Sequence, residues 1–262
     1  MTRVNLHGIP VDSVDSESKV MDAMLERLGT GNPFLLSFVN PAAWTISRRN
    51  DDYLGILRSF DLVLPDGIGV VWALRRLDNP NAERFSFDAS SLYLPLFAAL
   101  NERRASVFVT GAGPGVAERA VERMRAEFPD IDYRGCRDGY MEREPLRRAI
   151  LDAAPDVVLC GMGVPHQERF LLTLKDAGYG GLMISCGGFV DQLATAQRYY
   201  PAWIDKLELR WAWRIYQEPR RLWRRYLVDY WPFILATMPT VLRRQLLGSP
   251  VRLPIERAGG LS

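Results

Sequence analysis

Short, uninterrupted apolar runs alternating with helical patterns most constrain what this chain can fold into. The runs are Phe34–Val39, Leu62–Leu64, Ser106–Thr110, Asp156–Cys160 and Leu182–Cys186. Several end directly in glycine or a polar turn. Ser106–Thr110 leads into Gly111-Ala112-Gly113-Pro114-Gly115 and then Val116–Phe128, whose apolar residues recur at helical spacing. Asp156–Cys160 leads into Gly161-Met162-Gly163-Val164-Pro165 and a helix from about His166, and Leu182–Cys186 leads into Gly187-Gly188 and another helical start. A strand that is apolar throughout must be covered on both faces, so the alternation indicates a Rossmann-like α/β fold, a parallel sheet with helices on both sides. Ligands of such sheets bind beyond the carboxyl ends of the strands. The glycine loops are therefore the places to look for a site.

The last quarter of the chain is different. Residues 198–252 hold five of the seven tryptophans (Trp203, Trp211, Trp213, Trp223 and Trp231) and eleven Lys and Arg against four Asp and Glu, a net of +7. The whole chain is +2, so the remainder carries −5. A mildly acidic body thus ends in a basic, aromatic tail, suited to an anionic partner with an apolar neighbour: a phospholipid surface, a lipid-linked phosphate or a nucleic acid. With 262 residues, 48% of them hydrophobic, the chain can bury a core. We read residues 1–197 as the catalytic domain and 198–262 as an appendage.

Several classes are disfavoured. No internal repeat or low-complexity run is present. The three cysteines (Cys136, Cys160, Cys186) lack metal-ligand spacing and read as thiols in a reducing setting. Met1–Pro10 has no basic-then-apolar signal pattern, so a cytoplasmic location is expected. Tyr226–Leu242 is the best apolar stretch, but Asp229, Pro232 and Pro239 interrupt it; it can lie in a membrane interface and should not cross.

Each chemical motif has a plain alternative. Glycines at 111, 113 and 115 let backbone approach a phosphate at a helix start, and Asp130 and Asp132 follow at the distance of a ribose-binding acid. The spacing is G-x-G-x-G, however, which weakens a dinucleotide reading. Asp130-Ile131-Asp132 imitates a metal-binding Asp-x-Asp, but it falls between the helix ending near Phe128 and a strand, which favours a solvated turn. His7 and His166 are far apart in sequence, so no metal is expected. Asp66, in Pro65-Asp66-Gly67-Ile68-Gly69, follows a strand and precedes a helix, where an acid either points into the crevice or caps the helix. Asn40-Pro41 has the same ambiguity. In Gly161–Glu168, helix-start amides can hold a phosphate and Gln167 offers both donor and acceptor, while a capped helix with Glu168 in its first turn is the simpler account.

Taken together and in order, these strings resemble the WecG/TagA/CpsF glycosyltransferase family. The matching pieces are Asn40-Pro41, Pro65–Val71, Glu83-Arg84, Gly111–Glu118, Gly139-Tyr140, Gly161–Glu168, Cys186–Asp191, Pro201–Trp203, Trp211, Arg214, Glu218–Arg221 and Arg225-Tyr226. The resemblance implies an inverting, metal-independent hexosyltransferase without a cofactor, of GT-E type, with a C-terminal helical membrane-associating appendage that closes the active site. It implies a UDP-sugar donor, of UDP-glucose or UDP-N-acetylmannosamine type, and a polyprenyl-diphosphate-linked sugar acceptor in exopolysaccharide or cell-surface polymer synthesis. It further implies a peripheral position on the inner face of the cytoplasmic membrane; a homo-oligomer is compatible with it, and no nucleic-acid partner is expected.

The resemblance makes Asp66 the general base, with Asn40 beside it in the catalytic set. The substrate-binding set is Gly67, Arg84, Gly111, Gly113, Gly163, Gln167, Glu168, Gly187, Asp191, Arg214, Arg221 and Arg224. A carboxylate that takes the acceptor hydroxyl's proton makes a nucleophile of it. The departing UDP gathers charge that cations or helix-start amides must stabilise. Arg214, Arg221 and Arg224 are spaced to share a helical face, and a guanidinium fork suits a diphosphate. Three places depart from the family pattern: Phe38 stands where many members have Thr, Arg210 where many have Glu, and Arg198–Pro201 carries one extra residue. Two other readings stay open on the residues alone: an NAD(P)-dependent oxidoreductase built on Gly111–Gly115, and a nucleic-acid binder using the tail.

Overall fold

The computed structural model describes residues 1–195, 204, 210–217, 219–224 and 228–247; of Arg210, Trp211, Arg214, Gln217, Arg221, Leu222 and Leu247 it describes the backbone alone. The elements in order are β1 (Thr2–Leu6), β2 (Ile9–Ser13), α1 (Glu17–Leu25), β3 (Phe34–Val39), α2 (Ala42–Ser47), α3 (Tyr53–Arg58), β4 (Leu62–Pro65), α4 (Ile68–Leu77), α5 (Tyr93–Glu102), β5 (Ser106–Gly111), α6 (Val116–Glu127), β6 (Asp132–Arg137), α7 (Arg143–Ala153), β7 (Val157–Gly161), α8 (His166–Asp176), β8 (Leu182–Ser185), α9 (Phe189–Thr195), α10 (Arg210–Gln217), α11 (Pro219–Arg224) and α12 (Trp231–Leu247). Helices flank a six-stranded parallel sheet of order β4-β3-β8-β7-β5-β6. The expected α/β architecture is thus observed, and all five apolar runs are strands.

The chain divides into two compact units, one comprising Met1–Ser16, Phe38–Phe85 and the described part of Tyr200–Ser262, the other Glu17–Ser37 and the described part of Ser86–Tyr199.

In the second unit, strand continuity explains the core. Val107, Val109, Val157, Val158, Leu159, Met183 and Ile184 are all completely buried, as a strand covered on both faces requires. Register is in step from β5 through β7 to β8, Val107 facing Val157 and Val157 facing Leu182, so the three strands end together. Tyr93, Phe97, Phe128 and Phe189 pack their rings against one another with centroids 4.6 to 5.9 Å apart, filling one side. Asp130 lies in the turn after α6, as the plain reading has it, and Asp132 opens β6. The Asp130 amide donates to Asn101 Oδ1 (2.8 Å), and Asp132 accepts from Arg134 (2.9 Å).

The first unit opens with a hairpin that the apolar runs did not announce. His7 and Gly8 both take positive φ (54° and 95°), the requirement of a tight two-residue hairpin turn, and the Gly8 amide donates to Asn5 Oδ1 at 2.6 Å. A buried pair locks it: Arg3 meets Asp12 at 2.7 Å, and Asp12 also accepts from the Val63 amide at 2.6 Å, tying β2 to β4.

The described part of the tail is largely helical. Pro232 and Pro239 do not stop the helix, which runs from Trp231 to Leu247: Pro232 lies in the first turn, where no helical donor is needed, and Pro239 is accommodated inside. Arg214 lies on α10, and Arg221 and Arg224 lie on α11; whether their side chains share a face falls outside the described residues. Among the described residues no helix is long and apolar enough to cross a membrane.

Candidate active site

Two clusters gather the predicted residues, one in each unit. In the first, β4 ends at Pro65 and α4 starts at Ile68, which leaves Asp66-Gly67 to make the turn. The Asp66 amide donates to the Val39 carbonyl (2.8 Å), which fixes the turn against the end of β3. Gly67 occupies the position before α4 with φ 83° and ψ 143°, a conformation that glycine adopts without strain, and no side chain caps the helix there. The Asp66 side chain, one-third exposed, lies 3.7 Å from the Arg84 guanidinium. Arg84 is carried there because the Phe85 amide donates to the Pro65 carbonyl (3.0 Å) and the Glu83 amide to the Val14 carbonyl (2.9 Å).

Asn40 belongs to the same cluster: a Cβ on Gly67 would sit 3.7 Å from Asn40 Cβ. Its Oδ1 accepts from the Ala42 amide (3.0 Å) and its carbonyl from the Ala43 amide (2.8 Å), so part of its work is to turn the chain into α2. A Cβ on Gly69 would lie 2.8 Å from Pro41 Cγ and 3.4 Å from Ile234 Cδ1, so α12 reaches the first turn of α4. Alpha-helix α12 packs on α4 and α2 with Phe233, Thr237 and Val241 buried, and Thr45 Oγ1 donates to the Asp229 carbonyl at 2.8 Å. Trp231, Leu235, Met238, Leu242 and Leu246 are exposed along the same helix, a continuous apolar stripe.

In the second unit, glycines close the strand ends upon one another. A Cβ on Gly111 would strike the Gly161 carbonyl, and one on Gly161 would lie 2.7 Å from the Gly187 carbonyl. The Ala112 amide donates to that Gly161 carbonyl (3.0 Å), and the Gly139 amide to the Ala112 carbonyl (2.9 Å). Close backbone packing thus accounts for Gly111 and Gly161 before any ligand is invoked. Gly163 and Gly187 border open space instead, with nothing within 4 Å of a Cβ on either. Gly113 lies in the loop before α6, and Asp191 is exposed in the first turn of α9.

Gln167 ties the two open loops together, its Oε1 accepting from the amides of Gly163 and Gly187 (3.2 Å each) and its Nε2 donating to Glu168 Oε1 (2.8 Å). Glu168 is fully buried rather than turned to solvent in the first turn of α8. Its Oε1 also accepts from Ser37 Oγ (3.1 Å), which accepts from Ser185 Oγ (2.9 Å), while Oε2 has no hydrogen-bond partner. Burial pushes this carboxyl up to about 6, against the pull of the hydrogen bonds it accepts.

Residue type alone missed Ser37, Ser185 and Arg143. The Arg143 guanidinium donates to the Gly139 carbonyl and to Met162 Sδ (3.0 Å each), holding a cation beside the glycine loops. Its Gly139 contact was foreshadowed only by the Gly139-Tyr140 string; Tyr140 itself is 83% exposed. Arg224 is exposed on α11; the side chains of Arg214 and Arg221 lie outside the described residues. Cys160 and Cys186 are buried free thiols, held protonated by burial, and Cys136 is a half-buried one. Among the described residues, no group of three His, Cys, Asp or Glu side chains is placed to hold a metal ion.

Comparison with known proteins accounts for this combination. Residues 4–247 match the model of the glycosyl transferase WecG/TagA/CpsF family. An N-acetylglucosaminyldiphosphoundecaprenol N-acetyl-beta-D-mannosaminyltransferase of Bacillus subtilis (strain 168) is 31% identical over 194 residues, covering 74% of this chain and 75% of its own. The enzyme of the same name from Bacillus spizizenii is 29% identical over 220 residues, 83% of this chain and 84% of its own. A UDP-Gal:alpha-D-GlcNAc-diphosphoundecaprenol beta-1,4-galactosyltransferase of Shigella boydii is 27% identical over 231 residues, 86% of this chain and 93% of its own. With the match spanning both clusters and most of the tail, the chain is a glycosyltransferase and belongs to the WecG/TagA/CpsF family.

Proposed function

We propose that this enzyme transfers a hexose from a UDP-sugar to N-acetylglucosamine carried on a polyprenyl diphosphate, with inversion, using Asp66 as general base. The observation that carries the base assignment is the Asp66 turn: the carboxylate stands just beyond the end of β4, one-third exposed, with the Arg84 guanidinium 3.7 Å away. In the step, the acceptor hydroxyl attacks the anomeric carbon, its proton passes to Asp66, and the bond from that carbon to the UDP oxygen breaks. The negative charge gathered on UDP is met by amides of the glycine loops, by Arg143 and by tail arginines, with no metal ion taking part. Turnover is therefore expected to survive chelation by EDTA.

The acceptor assignment is supported by the relatives, whose names share N-acetylglucosaminyl diphosphoundecaprenol while their donor sugars differ. The donor thus belongs to the N-acetylmannosamine, galactose or glucose class. The residues after 197 act as an appendage that works at the inner membrane surface. The exposed stripe of Trp231, Leu235, Met238, Leu242 and Leu246 supports that reading, since an apolar row beside Arg243 suits a lipid interface.

The test is a panel of radiolabelled UDP-sugars offered to a short-chain polyprenyl-diphosphate N-acetylglucosamine. Transfer from one of them to give a lipid-linked disaccharide is the expected result. Absence of transfer from every UDP-sugar, by enzyme that also fails to bind UDP, would overturn the proposal.

A further inference from the structure

Glu168 is hard to explain as a stabilising residue. A buried carboxyl with one oxygen lacking a partner costs the fold free energy, and an apolar side chain of similar size would avoid the cost. What the group does geometrically is specific. Gln167 must present its oxygen to two backbone amides at once, those of Gly163 and Gly187. The oxygen and nitrogen of an amide are almost the same size, so packing alone does not choose between the two orientations of this side chain. Turned the wrong way, its NH2 would face two N–H donors.

Glu168 Oε1 removes the ambiguity by accepting from Gln167 Nε2 at 2.8 Å. The carboxylate is held in turn by a one-way series of donors: Ser185 Oγ to Ser37 Oγ, and Ser37 Oγ to Glu168 Oε1. A series of this kind needs an acceptor at its end, and an ionised carboxylate accepts without donating. The loops so joined follow β7 and β8, and both border open space at Gly163 and Gly187.

We propose that Glu168 is a positioning residue: through Gln167 it fixes the relative geometry of the Gly161–Gly163 and Gly187-Gly188 loops that hold the donor's nucleotide. The inference rests on the nucleotide reading of those loops. Glu168 itself touches no substrate. Its effect belongs to donor affinity and not to the bond-making step.

The test is calorimetric titration of UDP into the full-length wild type, Glu168→Ala, Glu168→Gln, Gln167→Ala and the Glu168→Ala/Gln167→Ala double variant, with donor KM and kcat measured in parallel. Glu168→Ala is expected to weaken UDP binding by about tenfold and raise donor KM alike, with kcat within about threefold. Glu168→Gln keeps an acceptor oxygen and is expected to restore binding to within about threefold. The double variant should bind no worse than Gln167→Ala, because both changes remove one device. Should Glu168→Ala not fold, Glu168→Leu fills the volume without an acceptor and carries the same expectation. Unchanged UDP affinity in the variant lacking an acceptor, or losses that add in the double variant, would overturn the inference alone. Failure of the wild type itself to bind UDP would remove the nucleotide reading and this inference with it.

Discussion

Asp66 and Glu168 occupy comparable places in the chain and stand in opposite surroundings. Each is an acid a few residues beyond a parallel strand, Asp66 in the turn before α4 and Glu168 in the first turn of α8. Asp66 keeps a third of its side chain in solvent and faces an arginine. Glu168 is sealed from solvent among hydroxyls and an amide. A base must be open to a substrate proton; Asp66 is partly exposed, whereas Glu168 is sealed. An acid at a strand end is therefore not by itself a reactive group; its exposure and its partners divide chemistry from scaffolding.

The largest effect that could break this contrast is chemical. Asp66→Asn is expected to lower kcat by about a thousandfold, whereas Glu168→Gln leaves kcat within a few-fold, as steady-state transfer assays on the two variants would read. Comparable losses in both would erase the distinction. Next comes the exposed row of α12. Replacing Leu235 and Leu246 by Glu removes two apolar side chains, 65% and 80% exposed, from the proposed lipid contact. Vesicle co-sedimentation should fall by about a hundredfold with the fold intact. Unchanged sedimentation would detach α12 from the membrane.

Gly111→Ala sharpens the second unit's side of the comparison, because the methyl would strike the Gly161 carbonyl at a backbone φ of 140°. Denaturant titration should show a loss of about 3 kcal/mol. The smallest effect concerns Glu168 and pH. Its carboxyl is pushed up to about 6, so the folded protein holds this proton more tightly than the unfolded chain does. That contribution favours the fold at acid pH and is lost as pH rises through about 6. Glu168→Gln has no charge to bury and should gain on wild type between pH 5 and pH 8 by roughly 1 kcal/mol, read by chemical denaturation at both values. A difference that stays flat with pH would contradict the buried charge.

What was legible in the sequence follows from which interactions are local. Ser106–Gly111, Val157–Gly161 and Leu182–Ser185 could be read because a strand buried on both faces leaves an unbroken apolar run with glycine at its end. The start of α8 after Pro165 was legible for the same local reason. The hairpin of β1 and β2 was not, since Asn5, His7 and Gly8 form its turn without an apolar run to mark it.

The site divides in the same way. Asp66 and Asn40 could be named from residue type at a strand end, but the approach of Arg84 to Asp66 needed the fold. The bonds joining Ser37 to Glu168 and to Ser185 span 131 and 148 residues, and no local pattern encodes them. Gln167 was identified as a donor and acceptor for a ligand; its oxygen proves to be occupied by two amides of its own chain. Arg143 was passed over because a cation opening a helix is unremarkable until Gly139 and Met162 are seen beside it.

The central claim, that Asp66 is the base and the glycine loops hold the nucleotide, is tested most directly by measuring UDP affinity and sugar transfer on one preparation of Asp66→Asn. The account predicts a UDP dissociation constant within about twofold of wild type together with transfer reduced by about a thousandfold. Transfer close to the wild-type rate in that variant would contradict it.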